Sequence, residues 1–137
     1  MNSNIITSET ELFKKNLCKS YILECKINGI NLNIKKYRKL LIFVYSELKY
    51  ELQSIEFIDV IIKNSLLVIY QKELKSNGYQ YYDSLGLSIR CADSKKTLRE
   101  ILNILKQKKE NIELKLQLAN GEIVYFVMLS RFNYIMI

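Results

Sequence analysis

Asparagine-glycine dipeptides are the sequence feature that most constrains what this chain can fold into. Three of the four glycines directly follow an asparagine, at Asn28-Gly29, Asn77-Gly78 and Asn120-Gly121. A two-residue type I′ hairpin turn needs positive φ at both central positions, which Gly adopts freely and Asn tolerates. Because such a turn fixes the register of its strands, the dipeptides predict antiparallel hairpins and indicate which side chains share a face.

The first two dipeptides lie between segments in which apolar and polar residues alternate. A two-residue turn at Asn28-Gly29 predicts Ile27 opposite Ile30, with Cys25 opposite Leu32 on the same apolar face. Strands are also predicted over Ile55–Lys63 and Leu66–Lys75. The second dipeptide pairs the latter strand with one continuous strand from Tyr79 to Ile89, with Val68 opposite Leu87.

The third dipeptide predicts a last hairpin with one apolar and one mixed face. A two-residue turn places the apolar residues of its first strand opposite those of its second on one face: Ile112, Leu114, Leu116 and Leu118 against Leu129, Val127, Tyr125 and Ile123. The opposite face then carries Val124, Phe126 and Met128 beside the polar residues of the first strand.

Two main helices and one short one are predicted. Apolar residues recur at helical spacing over Lys35–Gln53, although the run Leu40–Tyr45 is apolar throughout and also fits a buried strand. A second helix begins with a cap at Asp93 or Ser94, and its apolar stripe comprises Leu98, Ile101, Leu102 and Leu105. Ser8 has capping-box spacing to Glu11, which predicts a short helix from Glu9 to about Leu17.

The order of these elements predicts an α+β protein. Antiparallel hairpins form one or two curved sheets covered by two main helices, in a single domain over residues 19–137 that follows an N-terminal segment, residues 1–18. The order also fits a ββαββ unit repeated over residues 19–75 and 79–130. The alternative is that helices covering antiparallel sheets commonly give such an order without duplication.

The composition removes several classes of function. The chain of 137 residues contains no His, Pro or Trp. Without His it lacks the commonest general acid–base group and the commonest metal ligand, so serine triads and histidine-ligated zinc are excluded. Four glycines provide no phosphate-binding glycine-rich loop. We therefore predict a non-enzymatic protein with no catalytic residues, no metal site and no cofactor.

Cysteine usage and hydropathy predict a cytoplasmic location. The three cysteines lack Cys-x-x-Cys spacing and are typical of reduced thiols in an intracellular protein. No apolar run approaches the roughly 20 residues of a membrane helix, and the amino end shows no secretory signal, so no membrane contact is expected.

The mixed face of the last hairpin is the first candidate site. We predict a protein interface or self-association surface there, comprising Val124, Phe126, Met128, Phe132 and Tyr134 if the strand continues towards the carboxyl end. The alternative is that the N-terminal segment or a helix covers this face and makes it part of the core.

Basic residues at the two helix starts form the second candidate site. The net charge of +7 favours an acidic partner or nucleic acid, although an AT-rich genome would also enrich a chain in Lys. The candidate phosphate-binding residues are Lys35, Lys36, Arg38, Lys39, Lys95, Lys96 and Arg99, with Tyr79 and Tyr82 as stacking aromatics. The competing interpretation is a solvated charged face.

These observations predict a macromolecule-binding protein. The first hypothesis is a protein-binding inhibitor, immunity protein, anti-defence factor or accessory subunit. The alternative is a basic RNA- or DNA-binding module or a ribonucleoprotein component.

Overall fold

The computed structural model describes residues 5–50, 62–63, 65, 67–69 and 78–130. It is an α+β structure whose strands form two sheets. In chain order the described elements are β1 (Ile5–Ile6), α1 (Glu9–Leu12), β2 (Tyr21–Ile27), β3 (Ile30–Leu32), α2 (Tyr37–Tyr50), β4 (Val68–Ile69), β5 (Tyr79–Tyr82), β6 (Leu87–Arg90), α3 (Ser94–Gln107), β7 (Ile112–Gln117) and β8 (Ile123–Met128).

The larger sheet has five strands in the order β1-β8-β7-β2-β3. Neighbouring strands are antiparallel except β1 and β8, which run parallel with Ile5 beside Tyr125. Strands β7 and β2 therefore lie side by side in the sheet although they come from opposite ends of the described chain. The smaller sheet has the order β4-β6-β5.

The core lies between one face of the larger sheet and the helices α2 and α3. Alternate residues of β7 and β8 are buried, and they belong to the same apolar cluster as the buried stripes of the two helices. On α3 this stripe contains Leu98, Ile101, Leu102 and Leu105, which the helical spacing predicts, and also Thr97 and Ile104. The opposite face of the larger sheet is called the outer face below.

The first Asn-Gly turn has the expected backbone and register. Asn28 and Gly29 have φ values of 52° and 81°, and Ile27 lies opposite Ile30. The Asn28 side chain also accepts a hydrogen bond from the Asn111 backbone N–H at 2.9 Å, which ties this turn to the segment before β7.

A β-bulge modifies the alternation predicted along β2. The register with β7 shifts between Ile22 and Glu24, so that Leu23 is the extra residue. Ile22 and Cys25 consequently are both fully buried although they are three positions apart. Strict alternation would have placed Leu23, which is half-buried, on the core face in place of Ile22.

The last hairpin differs from its predicted register by one residue. The Leu118 N–H donates to the Glu122 carbonyl at 2.8 Å, which leaves three residues in the loop rather than two. Gly121 takes the left-handed position of that loop with a φ of 92°. Because side chains alternate, the extra loop residue exchanges the two faces of β8 relative to β7, and Leu114 lies opposite Phe126 instead of Val127.

The smaller sheet also departs from the prediction. The segment expected to be one strand from Tyr79 to Ile89 instead turns back at residues 83–86 and forms the hairpin β5–β6. Gly86, the one glycine that does not follow Asn, has a φ of 66° in this turn. Val68 pairs with Ile89 rather than Leu87, a two-residue shift that keeps it on the same face. Residues 62–63, at the end of the predicted strand Ile55–Lys63, are helical rather than extended. Most of that segment and of the predicted strand Leu66–Lys75, and the second Asn-Gly turn apart from Gly78, lie outside the described residues.

The helices resolve the alternatives left by the sequence. The segment that fitted either helix or strand is helical over Tyr37–Tyr50, with Leu40 and Leu41 both buried. The Asp93 carboxylate caps α3 by accepting the Lys96 backbone N–H at 2.8 Å. The short helix α1 is capped by Ser8 as predicted but ends at Leu12 rather than near Leu17. No helix within the described ranges is both long and apolar enough to span a bilayer.

The described strand pairings neither confirm nor contradict the predicted ββαββ repeat. In the larger sheet β7 pairs with β2, the first strand of the hairpin β2–β3. In the smaller sheet β4 pairs with β6, which is the second strand of the hairpin β5–β6. In the predicted repeat β4 would correspond to β8, and β7 to the segment Ile55–Lys63, most of which lies outside the described residues, so the repeat stays a prediction.

Burial of Cys25 makes the stability of the folded protein depend on pH in the alkaline range. Burial raises the pKa of this thiol from 9.0 to about 12, so the unfolded chain releases the proton at lower pH than the folded protein. We therefore expect stability to fall from about pH 9 towards pH 12, by up to about 1.4 kcal/mol per pH unit. Urea unfolding at pH 7, 9 and 10 measures this slope.

The variant Cys25→Ala is the control for that slope. It is less stable at every pH because it leaves a cavity, but its stability should fall less steeply above pH 9. Burial also raises the pKa of Tyr37, and this contribution remains in both proteins. An equal slope in the two proteins would show that Cys25 is not the responsible group.

Candidate binding surfaces

The outer face carries apolar side chains that the structure leaves exposed. Ile5 is 51% exposed, Tyr21 49% and Tyr125 39%. Ile5 and Tyr125 lie side by side on neighbouring strands, and Tyr21 lies opposite Gln117 on the same face. These three are among the five large apolar side chains that are exposed within the described ranges; the others are Ile30 and Leu129.

Polar side chains hold the exposed tyrosines in place. The Tyr21 hydroxyl donates to Gln117 Oε1 at 2.7 Å. The Lys115 ammonium lies 5.5 Å from the centre of the Tyr125 ring and 3.9 Å from Glu24 Oε2. Because these partners restrict the rotation of both rings, less side-chain entropy would be lost when a partner covers them.

The charges on the outer face are balanced. Lys26 and Lys115 are interspersed with Glu24 and Glu113, and these four side chains line a shallow hollow of about 200 Å³ beside Tyr125. Exposed aromatic and apolar side chains among charged groups of both signs are typical of a protein-binding surface. The excess positive charge of the chain therefore lies elsewhere.

The predicted interface residues lie on the other side of the sheet. Phe126 and Val124 are fully buried and Met128 is 8% exposed, so all three pack in the core and are not accessible to a partner. The cause is the three-residue loop, which turns these side chains inwards and Tyr125 outwards. Phe132 and Tyr134 lie outside the described residues.

The two basic helix starts lie at the same end of the molecule. The Arg38 guanidinium, on the first turn of α2, donates to the carbonyl oxygens of Ile89 at 3.0 Å and Arg90 at 3.3 Å. Helix α3 begins only four residues after Arg90. The two clusters therefore approach each other in space, which their separation in sequence did not show.

Several of the predicted phosphate-binding residues have structural partners. Arg38 Nε also donates to the Tyr82 hydroxyl at 3.0 Å, so most of this guanidinium is used within the protein. Lys35 donates to the Leu23 carbonyl, and Arg99 lies 4.8 Å from the centre of the Phe13 ring. Lys35 and Arg99 are nevertheless exposed, as are the remaining members of the two clusters: Lys36, Lys39, Lys95 and Lys96.

The candidate stacking aromatics are only partly accessible. Tyr79 and Tyr82 are half-buried, and Tyr82 packs against the core while its hydroxyl accepts from Arg38. Tyr82 therefore has a structural role that its position in the sequence did not reveal.

In the part of the chain that the structure describes, no three His, Cys, Asp or Glu side chains are grouped so that they could hold a metal ion. Comparisons with protein-family models, curated proteins and solved structures found no match to this chain.

Proposed function

We propose that this protein is a non-catalytic binding protein that docks another protein on its outer face. The observation that carries the proposal is the exposure of Ile5, Tyr21 and Tyr125 on one sheet face, where charged side chains of both signs lie among them. Tyr is enriched at protein interfaces because it buries a large rigid area and keeps a polar end. An inhibitor, immunity protein, anti-defence factor or accessory subunit would use such a surface.

The net charge gives this binding a second component. The chain has a net charge of +7, whereas the charges of the four ionic side chains around the outer-face hollow sum to zero. Positive charge away from the contact would accelerate encounter with an acidic partner without being buried in the complex. We expect the association rate to fall with salt more than the dissociation rate rises.

Two matched substitutions test the proposal. The chain and its variants Tyr125→Asp and Ile30→Asp are each immobilised and used to capture partners from host lysate treated with nuclease. Tyr125 lies on the outer face, whereas Ile30 is an exposed apolar residue that lines a separate hollow between the β2–β3 hairpin and the helices. A protein bound by the wild type and Ile30→Asp should be lost from Tyr125→Asp, with affinity lower by about 30-fold or more. Equal capture by Tyr125→Asp would contradict the use of this face.

Nucleic-acid binding is the second candidate, and the convergence of the two basic helix starts favours it. Exposed lysines on α2 and α3 would contact phosphates at one end of the molecule. Fluorescence anisotropy with single-stranded RNA and duplex DNA, repeated over a range of salt concentrations, tests this. Replacing Lys36, Lys39 and Lys95 together with Gln should lower the log–log salt slope by about 2–3. An unchanged slope would rule out these contacts.

A further inference from the structure

A groove runs along the exposed side of α3. Glu9 of α1 and Leu67 form its other walls, and its volume is about 440 Å³. Lys96, Arg99, Asn103 and Lys106 line the α3 side; their spacing of three, four and three residues places them on one helix face over about 15 Å. Sites for small organic ligands commonly have volumes of about 300–1,000 Å³.

The positive charge of this α3 groove is concentrated at one end. Towards the carboxyl end of the helix, Lys106 Nζ pairs with Glu9 Oε2 at 2.7 Å, which neutralises both groups. In the middle, Glu100 Oε2 accepts hydrogen bonds from the Tyr45 hydroxyl at 2.7 Å and from the Ser65 hydroxyl. Lys96 and Arg99, which lie towards the amino end, have no carboxylate partner in the described ion pairs.

Arg99 is restrained by an aromatic ring beside the groove. Its guanidinium lies over the Phe13 ring at 4.8 Å from the ring centre. This cation–π contact restricts the Arg99 side chain, and the edge of a guanidinium matches two oxygens of a phosphate. Lys96 is three residues earlier on the same helix face and supplies a second positive charge.

We propose that the α3 groove binds a small monophosphorylated ligand of the mononucleotide or sugar-phosphate class. The phosphate lies at Lys96 and Arg99, and hydroxyl groups of the remainder face the Asn103 amide and the Glu100 carboxylate. Glu100 carries a negative charge and Lys106 is already paired with Glu9, so a second phosphate further along the groove is disfavoured. The site contains no outer-face residue, so a test of ligand binding in the groove is independent of the proposed docking function.

Calorimetric titration with defined probes tests the site at low ionic strength. The probes are AMP, UMP and ribose 5-phosphate, with adenosine, ribose and inorganic phosphate as controls. We expect at least one phosphorylated probe to bind more tightly than inorganic phosphate, and adenosine and ribose to show no measurable binding. In two-dimensional NMR spectra, the bound probe should shift the backbone amides of residues 96–103.

Adjacent lysines supply the matched control. Lys95 and Lys96 are both exposed residues in the first turn of α3, but only Lys96 lines the groove. Lys96→Gln and Arg99→Gln should each weaken binding about tenfold, whereas Lys95→Gln should change it less than about twofold.

Three results would overturn the proposal. The first is that no phosphorylated probe binds. The second is that Lys95→Gln weakens binding as much as Lys96→Gln, which would indicate general charge attraction. The third is that a long oligonucleotide binds while the mononucleotides do not, which would favour the nucleic-acid alternative instead.

Discussion

Replacing Phe126 with Asp is expected to unfold the protein, whereas replacing its neighbour Tyr125 with Asp leaves it folded. Phe126 is fully buried between the larger sheet and the helices, and Tyr125 is 39% exposed on the outer face. Losing a buried Phe side chain costs about 3–5 kcal/mol, and an unpaired buried carboxylate adds several more. Since domains are stable by about 5–15 kcal/mol in total, this variant should have little or no folded population at neutral pH.

Circular dichroism and urea unfolding of the two variants measure this difference directly. Tyr125→Asp should unfold within about 1 kcal/mol of the wild type, because surface substitutions seldom cost more. Both variants introduce Asp, at adjacent positions whose side chains lie on opposite faces of β8. A Phe126→Asp protein that is folded but has lost partner binding would contradict the three-residue loop. It would support instead the register predicted from a two-residue turn at Asn120-Gly121.

Replacing Arg38 with Met is expected to lower the free energy of unfolding by about 2–3 kcal/mol. Its guanidinium donates to the Tyr82 hydroxyl and to two backbone carbonyl oxygens of β6, so it joins α2 to the smaller sheet. Hydrogen bonds from a charged donor contribute about 1.5–3 kcal/mol, and Met retains much of the side-chain packing. Urea unfolding of Arg38→Met measures the loss.

Lys39→Met is the matched control for Arg38→Met. It removes the same charge from the next residue, which is exposed, and should change stability by less than about 0.5 kcal/mol. If Arg38→Met proved as stable as Lys39→Met but lost affinity for nucleic acid, Arg38 would be a phosphate-binding residue and not a structural one.

The loops show how far the sequence predicts this fold. The α+β class and the positions of α2 and α3 follow from hydrophobic periodicity and capping, because burial of an apolar stripe is the main force that forms these elements. The Asn28-Gly29 dipeptide predicts the observed pairing, whereas the Asn120-Gly121 dipeptide predicts a register that differs from the observed one by one residue. Both a two-residue and a three-residue loop accept Gly in the left-handed region, so the dipeptide alone does not distinguish them.

Packing could have decided between the two loops. With the shorter loop, Tyr125 would lie in the core and Phe126 outside it; the longer loop buries Phe126 instead. Phe lacks the hydroxyl that Tyr must satisfy when buried, so the longer loop is the better fit to a dry core. The bulge at Leu23 depends on the pairing of β2 with β7, and no local pattern indicates it, whereas the turn containing Gly86 is closed by local hydrogen bonds to the Tyr82 carbonyl.

The candidate sites depend even more strongly on the three-dimensional arrangement. Lysines at the two helix starts could be identified as exposed charges, but their convergence depends on the contact between Arg38 and the end of β6. The outer face could not be assigned without the register of β8. The α3 groove requires α1 and Leu67 to lie beside α3, and Glu9 and Lys106 are almost one hundred positions apart in the chain.

The position of β7 between β8 and β2 has a consequence for how the protein is made. When the ribosome has released the β2–β3 hairpin, the edge of β2 that later pairs with β7 has no partner until Ile112–Gln117 emerges. At the usual rate of translation, that interval is on the order of ten seconds. The nascent hairpin therefore exposes an apolar face and a free strand edge for much of its synthesis, and a chaperone that shields such edges should raise the yield of folded protein.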